Sequence, residues 1–391
     1  MSNFITCSLT LLITISPMTI YGQMRILNVL YTGSLQGELE PCGCSPKTDF
    51  GGPARLSGYL AENKKDLQPY LLLDAGNFSG EDTPQGRLKT ETVLGAFSIM
   101  RYDAVALLER ESVFKDDFIQ PLLQRNEIPA VSGAPKYNTS VSLNRANFDV
   151  NISADPGDLK EGKLNILLTD LPVSASKLFK GWDVIILSSG EILDEPLKVN
   201  GTVIVSGYPK GKNLGILTLK VDDSGNVVES VHRRQPLGSD IKEDASVRGI
   251  LNDYDSRVAG LLKEAEKPLT ETAYLGAVKC AECHRPFIES WKDTRHAGAF
   301  ASLEKVGKAA DPECIKCHVV GFGEEGGFYS IQTTPELANV QCEVCHGSGK
   351  GHLSALEKPL KPVSESVCLK CHTRDNSPDF DYSIYREKIE H

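Results

Sequence analysis

The chain has 391 residues, of which 40% are hydrophobic and 24% are charged, and its formal net charge at pH 7 is −10. A chain of this length is expected to form about two domains, each large enough to bury a hydrophobic core. The acidic balance and the lack of a Lys/Arg-rich run argue against a nucleic-acid partner.

The first 22 residues are apolar and contain no acidic side chain. We interpret residues 1–22 as an export signal cleaved near Gly22, because the segment is too short and too rich in Ser and Thr for a stable membrane span. Cleavage would also remove Cys7. The alternative is a retained anchor, which would be the chain's only membrane contact. The expected location is periplasmic or extracellular.

Residues 24–240 alternate short apolar runs with amphipathic segments, which predicts an α/β layered domain. Helices are predicted over 51–67 and 88–100. A hairpin is predicted over 214–232, with Asp223, Ser224, Gly225 and Asn226 at its turn. The predicted buried strands are 25–31, 69–76, 103–108, 128–133, 164–170, 183–189 and 202–207.

A connector is predicted over residues 241–270, built on one amphipathic helix over 244–267 that ends before Pro268. Residues 271–391 differ from the preceding chain in composition and pattern. They have few strand-like runs and contain 8 of the 11 cysteines and seven of the 8 histidines. A segment with so little core is expected to be mainly helical, irregular and stabilised by covalent or metal links.

Four copies of the pattern Cys-x-x-Cys-His occur in this last segment. They are Cys280, Cys283 and His284; Cys314, Cys317 and His318; Cys342, Cys345 and His346; and Cys368, Cys371 and His372. This pattern attaches haem c, because two thiols bond to the haem and the adjacent imidazole binds its iron. Zinc sites would not require a His after every pair, and thioredoxin-like motifs lie in βαβ units that this region lacks. We therefore predict four covalent haems.

The runs at residues 274–300 and 341–353 resemble the tetrahaem cytochrome c family of nitrification and its multihaem relatives. The resemblance covers residues 274–391 and implies that some histidines cap haems of other motifs. His352 would cap the haem of His284, and His296 would cap the haem of His346. The tail at 376–391 also resembles these relatives, which implies that His391 caps the haem of His372. Unlike the nitrification family, this chain has no His between its second and third motifs.

Eight axial positions on four irons exceed the seven histidines of residues 271–391. All four methionines (1, 18, 24 and 100) lie outside this segment, so the haems are expected to be mostly bis-His and of low potential. One iron lacks a sixth ligand, and the family pattern indicates the second haem, at His318. His232 is the other candidate ligand for that iron, with an ordinary surface histidine as the alternative.

The runs at residues 30–44, 51–60, 70–78 and 102–114 resemble the 5′-nucleotidase-like metallophosphoesterase fold. That family holds two catalytic metal ions with Asp, His and Asn side chains. The matching positions here are Ser34, Gln36, Asn77 and 109–111, which reads Glu-Arg-Glu, and no histidine precedes His232. The resemblance therefore implies the fold without its metals.

Cys42 and Cys44 are left over from the haem motifs. Export favours a disulfide between them, although one across a single residue is geometrically tight. Separate thiols, a small structural site or a redox role are the alternatives.

The sequence thus predicts an exported tetrahaem c-type cytochrome that transfers electrons between donor and acceptor proteins. The phosphoesterase-like domain would serve as a docking surface. One alternative is a haem enzyme that converts a small nitrogen compound at the iron above His318. Another is a metal-dependent phosphoesterase, against which the missing ligands argue. An enzymatic role is left undecided.

Overall fold

The computed structural model describes residues 24–222, 225–264 and 272–390. The predicted export signal, His391 and the turn residues Asp223 and Ser224 lie outside the described residues. Among the helices of the described part, none is long and apolar enough to cross a membrane.

The described strands all lie in the first part of the chain. They are β1 (Arg25–Thr32), β2 (Tyr70–Asp74), β3 (Ala104–Ala106), β4 (Ala130–Val131), β5 (Ser140–Arg145), β6 (Phe148–Ser153), β7 (Leu164–Thr169), β8 (Val184–Leu187), β9 (Leu197–Val199), β10 (Thr202–Ser206), β11 (Asn213–Val221) and β12 (Val227–Pro236). The helices among them are α1 (Pro53–Glu62), α2 (Lys64–Leu67), α3 (Pro84–Met100), α4 (Glu109–Ser112), α5 (Asp116–Arg125), α6 (Val173–Ser176) and α7 (Ala245–Glu264).

These strands form two six-stranded sheets. The first has the order β12-β11-β1-β2-β3-β4, and the second has the order β5-β6-β7-β8-β10-β9. In the first sheet β1, β2, β3 and β4 are parallel, while β11 pairs antiparallel with β1 and forms the predicted hairpin with β12. The carboxyl ends of the parallel strands therefore meet at one edge, the part of an α/β sheet where ligands usually bind.

The two faces of β1 explain how the layers hold together. Leu27, Val29 and Tyr31 pack between the two sheets, whereas Leu30 faces the helical layer. Successive side chains of a strand point to opposite faces of the sheet. A strand in a sheet that is covered on both faces therefore has a continuous apolar run in its sequence. Complete burial of a residue such as Leu30 contributes about 1.5–3 kcal/mol. The Tyr31 ring also requires Gly215 on β11, since a Cβ there would lie 2.1 Å from the ring.

The helix α7 belongs to this core. Val247, Leu251, Tyr254 and Val258 are buried in the same cluster as side chains of α1 and α3. The amphipathic pattern that predicted this helix therefore reflects packing on the first domain.

After residue 272 the chain forms short helices. They are α8 (Ala277–Cys280), α9 (Arg285–Lys292), α10 (Ala299–Lys305), α11 (Pro312–Ile315), α12 (Cys342–His346), α13 (Lys350–Ser354), α14 (Glu365–Cys368) and α15 (Tyr382–Glu387). Their apolar core is small and includes Phe300, Ile315, Val320, Phe328 and Leu337. The predicted fold class, a layered α/β domain followed by a mainly helical and irregular segment, is confirmed.

Candidate haem-binding site

Each Cys-x-x-Cys-His motif forms about one helical turn. In the first motif the backbone N–H of His284 donates to the carbonyl of Cys280 at 2.9 Å, and in the fourth the N–H of His372 donates to Cys368 at 2.9 Å. Residues i, i+3 and i+4 share one face of a helix. The turn therefore places both thiols and the imidazole of a motif on one side, as haem attachment requires.

The eight motif cysteines all lie in the described part of the chain and form no disulfide there, and the motifs touch one another through them. Hydrogen bonding to Cys342, followed by burial, raises the pKa of the Cys280 thiol. Hydrogen bonding to Cys371 lowers the pKa of Cys317 to about 7. Burial, followed by the charges of Cys368 and Cys342, raises the pKa of Cys345 to about 11.

These contacts give the spatial order of the attachment sites. The first motif touches the third, the third lies beside the fourth, and the fourth touches the second. These pairwise contacts link the sites in the order first, third, fourth, second, called the haem row below, which differs from their order in sequence.

The rings of His284 and His352 have centroids 6.1 Å apart and planes inclined by 39°. Two imidazoles on opposite sides of one metal ion, with metal–nitrogen distances of about 2 Å, have centroids about 6 Å apart. This spacing would allow both rings to hold one haem iron, and the pairing that the family resemblance implied stays a prediction.

His296 lies against His372, with ring centroids 6.2 Å apart and planes inclined by 57°. The expected pairing of His296 with His346 is therefore not the one in the structure. Its position follows from the turn Arg295–Gly298, where the His296 carbonyl accepts from the Val340 N–H at 3.2 Å. His391, which was expected to face His372, is outside the described residues.

Three imidazoles are oriented by backbone carbonyls at their Nδ1 atoms. The distances are 2.6 Å from His318 to Ala299, 3.1 Å from His346 to Lys361 and 2.8 Å from His352 to Lys358. Metal-binding histidines usually donate their second ring N–H in this way, which leaves Nε2 for the metal. The residues thus fit haem c, which would be held by the motif thiols and by Nε2 of these rings.

His232 contacts tyrosine side chains of the first domain. It lies on β12, and its Nε2 is 2.9 Å from the Tyr31 hydroxyl and 3.5 Å from that of Tyr208. Burial lowers its pKa. The structure thus places this nitrogen against two tyrosines of the first domain, and the expected ligation of the haem at His318 by His232 stays a prediction.

Aromatic side chains beside the fourth motif were missed by the sequence reasoning. The His372 ring stacks on Phe380 with centroids 4.6 Å apart, and Tyr385 meets it edge-on at 5.7 Å. The aromatic residues that follow the last motif were the available signal.

The edge where a phosphoesterase would hold metals is filled with direct hydrogen bonds. The Asn77 side-chain amide donates to the Ser188 carbonyl at 3.0 Å, and its oxygen accepts from the backbone N–H of Arg110 at 3.1 Å. The carboxylate of Glu111 accepts from Ser79 and Asn77. In the described residues no group of three or more His, Cys, Asp or Glu side chains could hold a metal ion.

The chain that follows the fourth motif covers this same edge. Asp375 binds Lys210 at 2.5 Å and Lys212 at 2.6 Å, and the Lys210 N–H donates to the Ser34 carbonyl at 2.9 Å. Hydrogen bonds from the two lysines hold the pKa of Asp375 below its usual range.

A second set of charges joins the domains near the second motif. Lys308 binds Glu40 at 2.7 Å and Asp255 at 2.7 Å, and Lys89 binds Glu313 at 2.5 Å. Burial disfavours the charged form of Lys308, but its hydrogen bonds with Asp255 and Glu40 outweigh burial and raise its pKa. These pairs were not predictable from the sequence, because their partners are far apart along the chain.

Comparison with known proteins separates the two parts of the chain. Residues 279–347 match the family model of cytochrome c554 and c-prime. Cytochrome c-554 of Nitrosomonas europaea is 36% identical over 82 aligned residues, a match that covers 17% of this chain and 35% of that protein. The snake venom 5′-nucleotidase of Crotalus adamanteus is 23% identical over 303 aligned residues, covering 58% of this chain and 50% of the relative.

Among solved structures, a 5′-nucleotidase precursor of Thermus thermophilus matches with a TM-score of 0.53 and 17% identity, covering 64% of this chain and 62% of that one. The sulfate thiohydrolase SoxB of Thermus thermophilus, in complex with glycerol, matches with a TM-score of 0.50 and 14% identity, again covering 64% and 62%. These likenesses show the fold alone. The chain spans about a third to a half of the length of the curated relatives it matches.

The C-terminal segment is thus similar, over residues 279–347, to c-type cytochromes, the class of proteins that carry covalently attached haem c. It resembles cytochrome c554 in particular, and it is fused to a domain with the 5′-nucleotidase fold.

Proposed function

We propose that the chain is an exported tetrahaem cytochrome c that transfers electrons between donor and acceptor proteins. The observation that carries the proposal is the pairing of His284 with His352 and of His296 with His372, at 6.1 and 6.2 Å, in a segment where four attachment motifs touch. Haem c supplies one-electron iron chemistry when bound. The proposal divides the chain into an export signal (1–22), a phosphoesterase-like domain (24–240), a helical connector (241–270) and a tetrahaem domain (271–391).

The chain's own residues hold and orient these groups. The eight motif thiols supply the covalent links, and His284, His318, His346 and His372 supply the proximal nitrogens. His352 and His296 supply distal nitrogens from other parts of the chain. His391 is proposed as a further ligand. The resemblance assigned it to the haem of His372, and the His296 ring that lies against His372 supports the irons at His318 and His346 as its alternatives.

The first domain is proposed to dock the haem segment. The sheet edge where a phosphoesterase would hold metals carries Lys210 and Lys212, which bind Asp375 just beyond the fourth motif. A phosphoesterase substrate would have to enter at this edge, which supports the docking role over the phosphoesterase alternative.

Intact-mass analysis tests the proposal on full chain exported from a host with haem-attachment machinery. Four haem additions, on a chain that begins near Gln23, are expected. Replacing both cysteines of any one motif with Ala should remove one addition. Fewer than four additions in fully matured protein would show that at least one motif has another use.

A haem enzyme remains the second candidate, and the ligand count favours it specifically. Two pairs use four of the seven histidines of residues 271–391, so His391 can complete only one of the irons at His318 and His346. The family pattern favours His318 as the open one. An open iron would admit a small nitrogen compound.

A further inference from the structure

Cys42 and Cys44 form a disulfide that the proposed haem function does not use. Both cysteines and the intervening Gly43 are exposed. Gly43 has a φ of +66°, a backbone conformation that glycine adopts without a steric cost. The loop thus bends tightly enough to bring together two cysteines separated by one residue.

The loop that carries this disulfide is tied to the fourth haem motif. The Thr48 hydroxyl donates to the carbonyl of Asp375 at 2.6 Å, and the Thr48 N–H donates to the carbonyl of Ser45 at 3.1 Å. Lys47 binds Asp379 at 2.7 Å. Ser45 directly follows Cys44, and Asp375 lies three residues after His372, so these contacts connect the disulfide loop to the segment that follows the fourth motif.

Chemistry also favours electron exchange at this position. Exposed disulfides have higher reduction potentials than structural ones and are the labile, regulatory or catalytic kind. Bis-His haems, which lack the Met ligand that raises the potential, are reductants of low potential. A low-potential donor beside a reducible disulfide has the driving force to reduce it.

We propose that the Cys42–Cys44 disulfide is a redox site that exchanges two electrons with the haem row at its fourth haem. In the reductive direction the S–S bond breaks, and each sulfur gains one electron and one proton. The electrons come one at a time from ferrous haem irons, which become ferric, and the protons come from water. The product is a pair of thiols that can reduce a disulfide or a similar two-electron acceptor. This inference rests on the proposed haem function.

A reductive titration counts the electrons that the protein accepts. The full chain with four haems, verified by intact mass, is titrated without oxygen by a calibrated one-electron reductant. Wild type is expected to take up about six equivalents, about four for the haems and two for the disulfide, whereas Cys42→Ser/Cys44→Ser takes up about four. Maleimide labelling of quenched samples should give two tags on the wild type, because the other mature cysteines are thioethers. Uptake of only four equivalents by wild type, with no tags, would overturn the inference.

A kinetic experiment tests the route. When the haems are reduced rapidly with a sub-stoichiometric reductant, thiols should form at a rate that does not depend on protein concentration. Thr48→Val, which removes the hydroxyl contact with Asp375, should slow thiol formation while leaving the six equivalents unchanged. A rate proportional to protein concentration would refute transfer within the molecule. A chain with fewer than four haems by mass would instead contradict the haem proposal, so the two failures are distinguishable.

Discussion

Replacing His296 with Ala should change the iron at the fourth motif. The His296 and His372 centroids are 6.2 Å apart, close to the roughly 6 Å expected for two rings at about 2 Å from one metal ion. Loss of one imidazole leaves a five-coordinate iron, which is high-spin because one strong-field ligand is gone. About a quarter of the haem should therefore change spin state. The covalent thioethers and the Phe380 stack on His372 should keep the haem in place.

Electron paramagnetic resonance of the ferric protein measures the change, and carbon monoxide uptake by the ferrous protein should rise by about one equivalent per chain. His352→Ala is the matched control, because it should open the first haem to the same extent. The fourth haem is identified by combining His296→Ala with Cys368→Ala/Cys371→Ala, where no further high-spin signal should appear. If the signal persists there and disappears when Cys342 and Cys345 are replaced instead, His296 binds the third haem and the reasoning is wrong.

Four further outcomes are expected. Purified protein with added Mn²⁺, Zn²⁺ or Mg²⁺ should not hydrolyse nucleotides or simple phosphate esters; turnover abolished by a chelator would restore the phosphoesterase interpretation. Most of the haem should titrate below the standard hydrogen potential, since no Met is available nearby; a potentiometric titration with most haem reduced well above it would contradict bis-His ligation. Asp375→Asn should destabilise the protein by about 1 kcal/mol at low salt and less at high salt, because its two ion pairs are partly exposed. The stabilisation by Asp375 should be present above the ordinary Asp pKa of about 3.9 and be lost as the pH falls towards the lowered pKa of Asp375 in the folded state. The measurement is the denaturation midpoint of the variant, with Asp379→Asn as the control. Wild-type ferric protein should show one high-spin iron, altered by His318→Met and unaffected by His232→Ala; a wholly low-spin spectrum would show that every iron has two protein ligands.

Much of the fold was predictable because its signals are local. The buried strands β1, β2, β7 and β8 appear as short apolar runs, and the Cys-x-x-Cys-His motifs carry their geometry within one helical turn. The hairpin of β5 and β6 was missed. Its first strand alternates partly buried and exposed side chains and includes Ser, Asn and Arg, so its pattern resembles that of a loop.

The distal ligands of the haems were harder to assign. His296 and His372 are separated by two complete motifs, and the chain between them is irregular, with no periodic pattern that fixes which side chains meet. Their pairing depends on contacts such as that of the His296 carbonyl with Val340, which are set by tertiary packing. The family pattern paired His352 with His284, whose rings also lie together in the structure, and it paired His296 with His346, whereas the His296 ring lies against His372.

The two domains meet at the sheet edge that carries Asn77, Lys210 and Lys212. Asn77 uses its amide for backbone contacts, and Lys210 and Lys212 direct their charges towards Asp375. Two metal ions at this edge would add positive charge beside Lys210 and Lys212. The Asp375 carboxylate instead neutralises the charge of these two lysines. The contact of Thr48 with Asp375 joins the loop of Cys42 and Cys44 to the segment that follows the fourth motif, which is the arrangement that the proposed electron exchange requires.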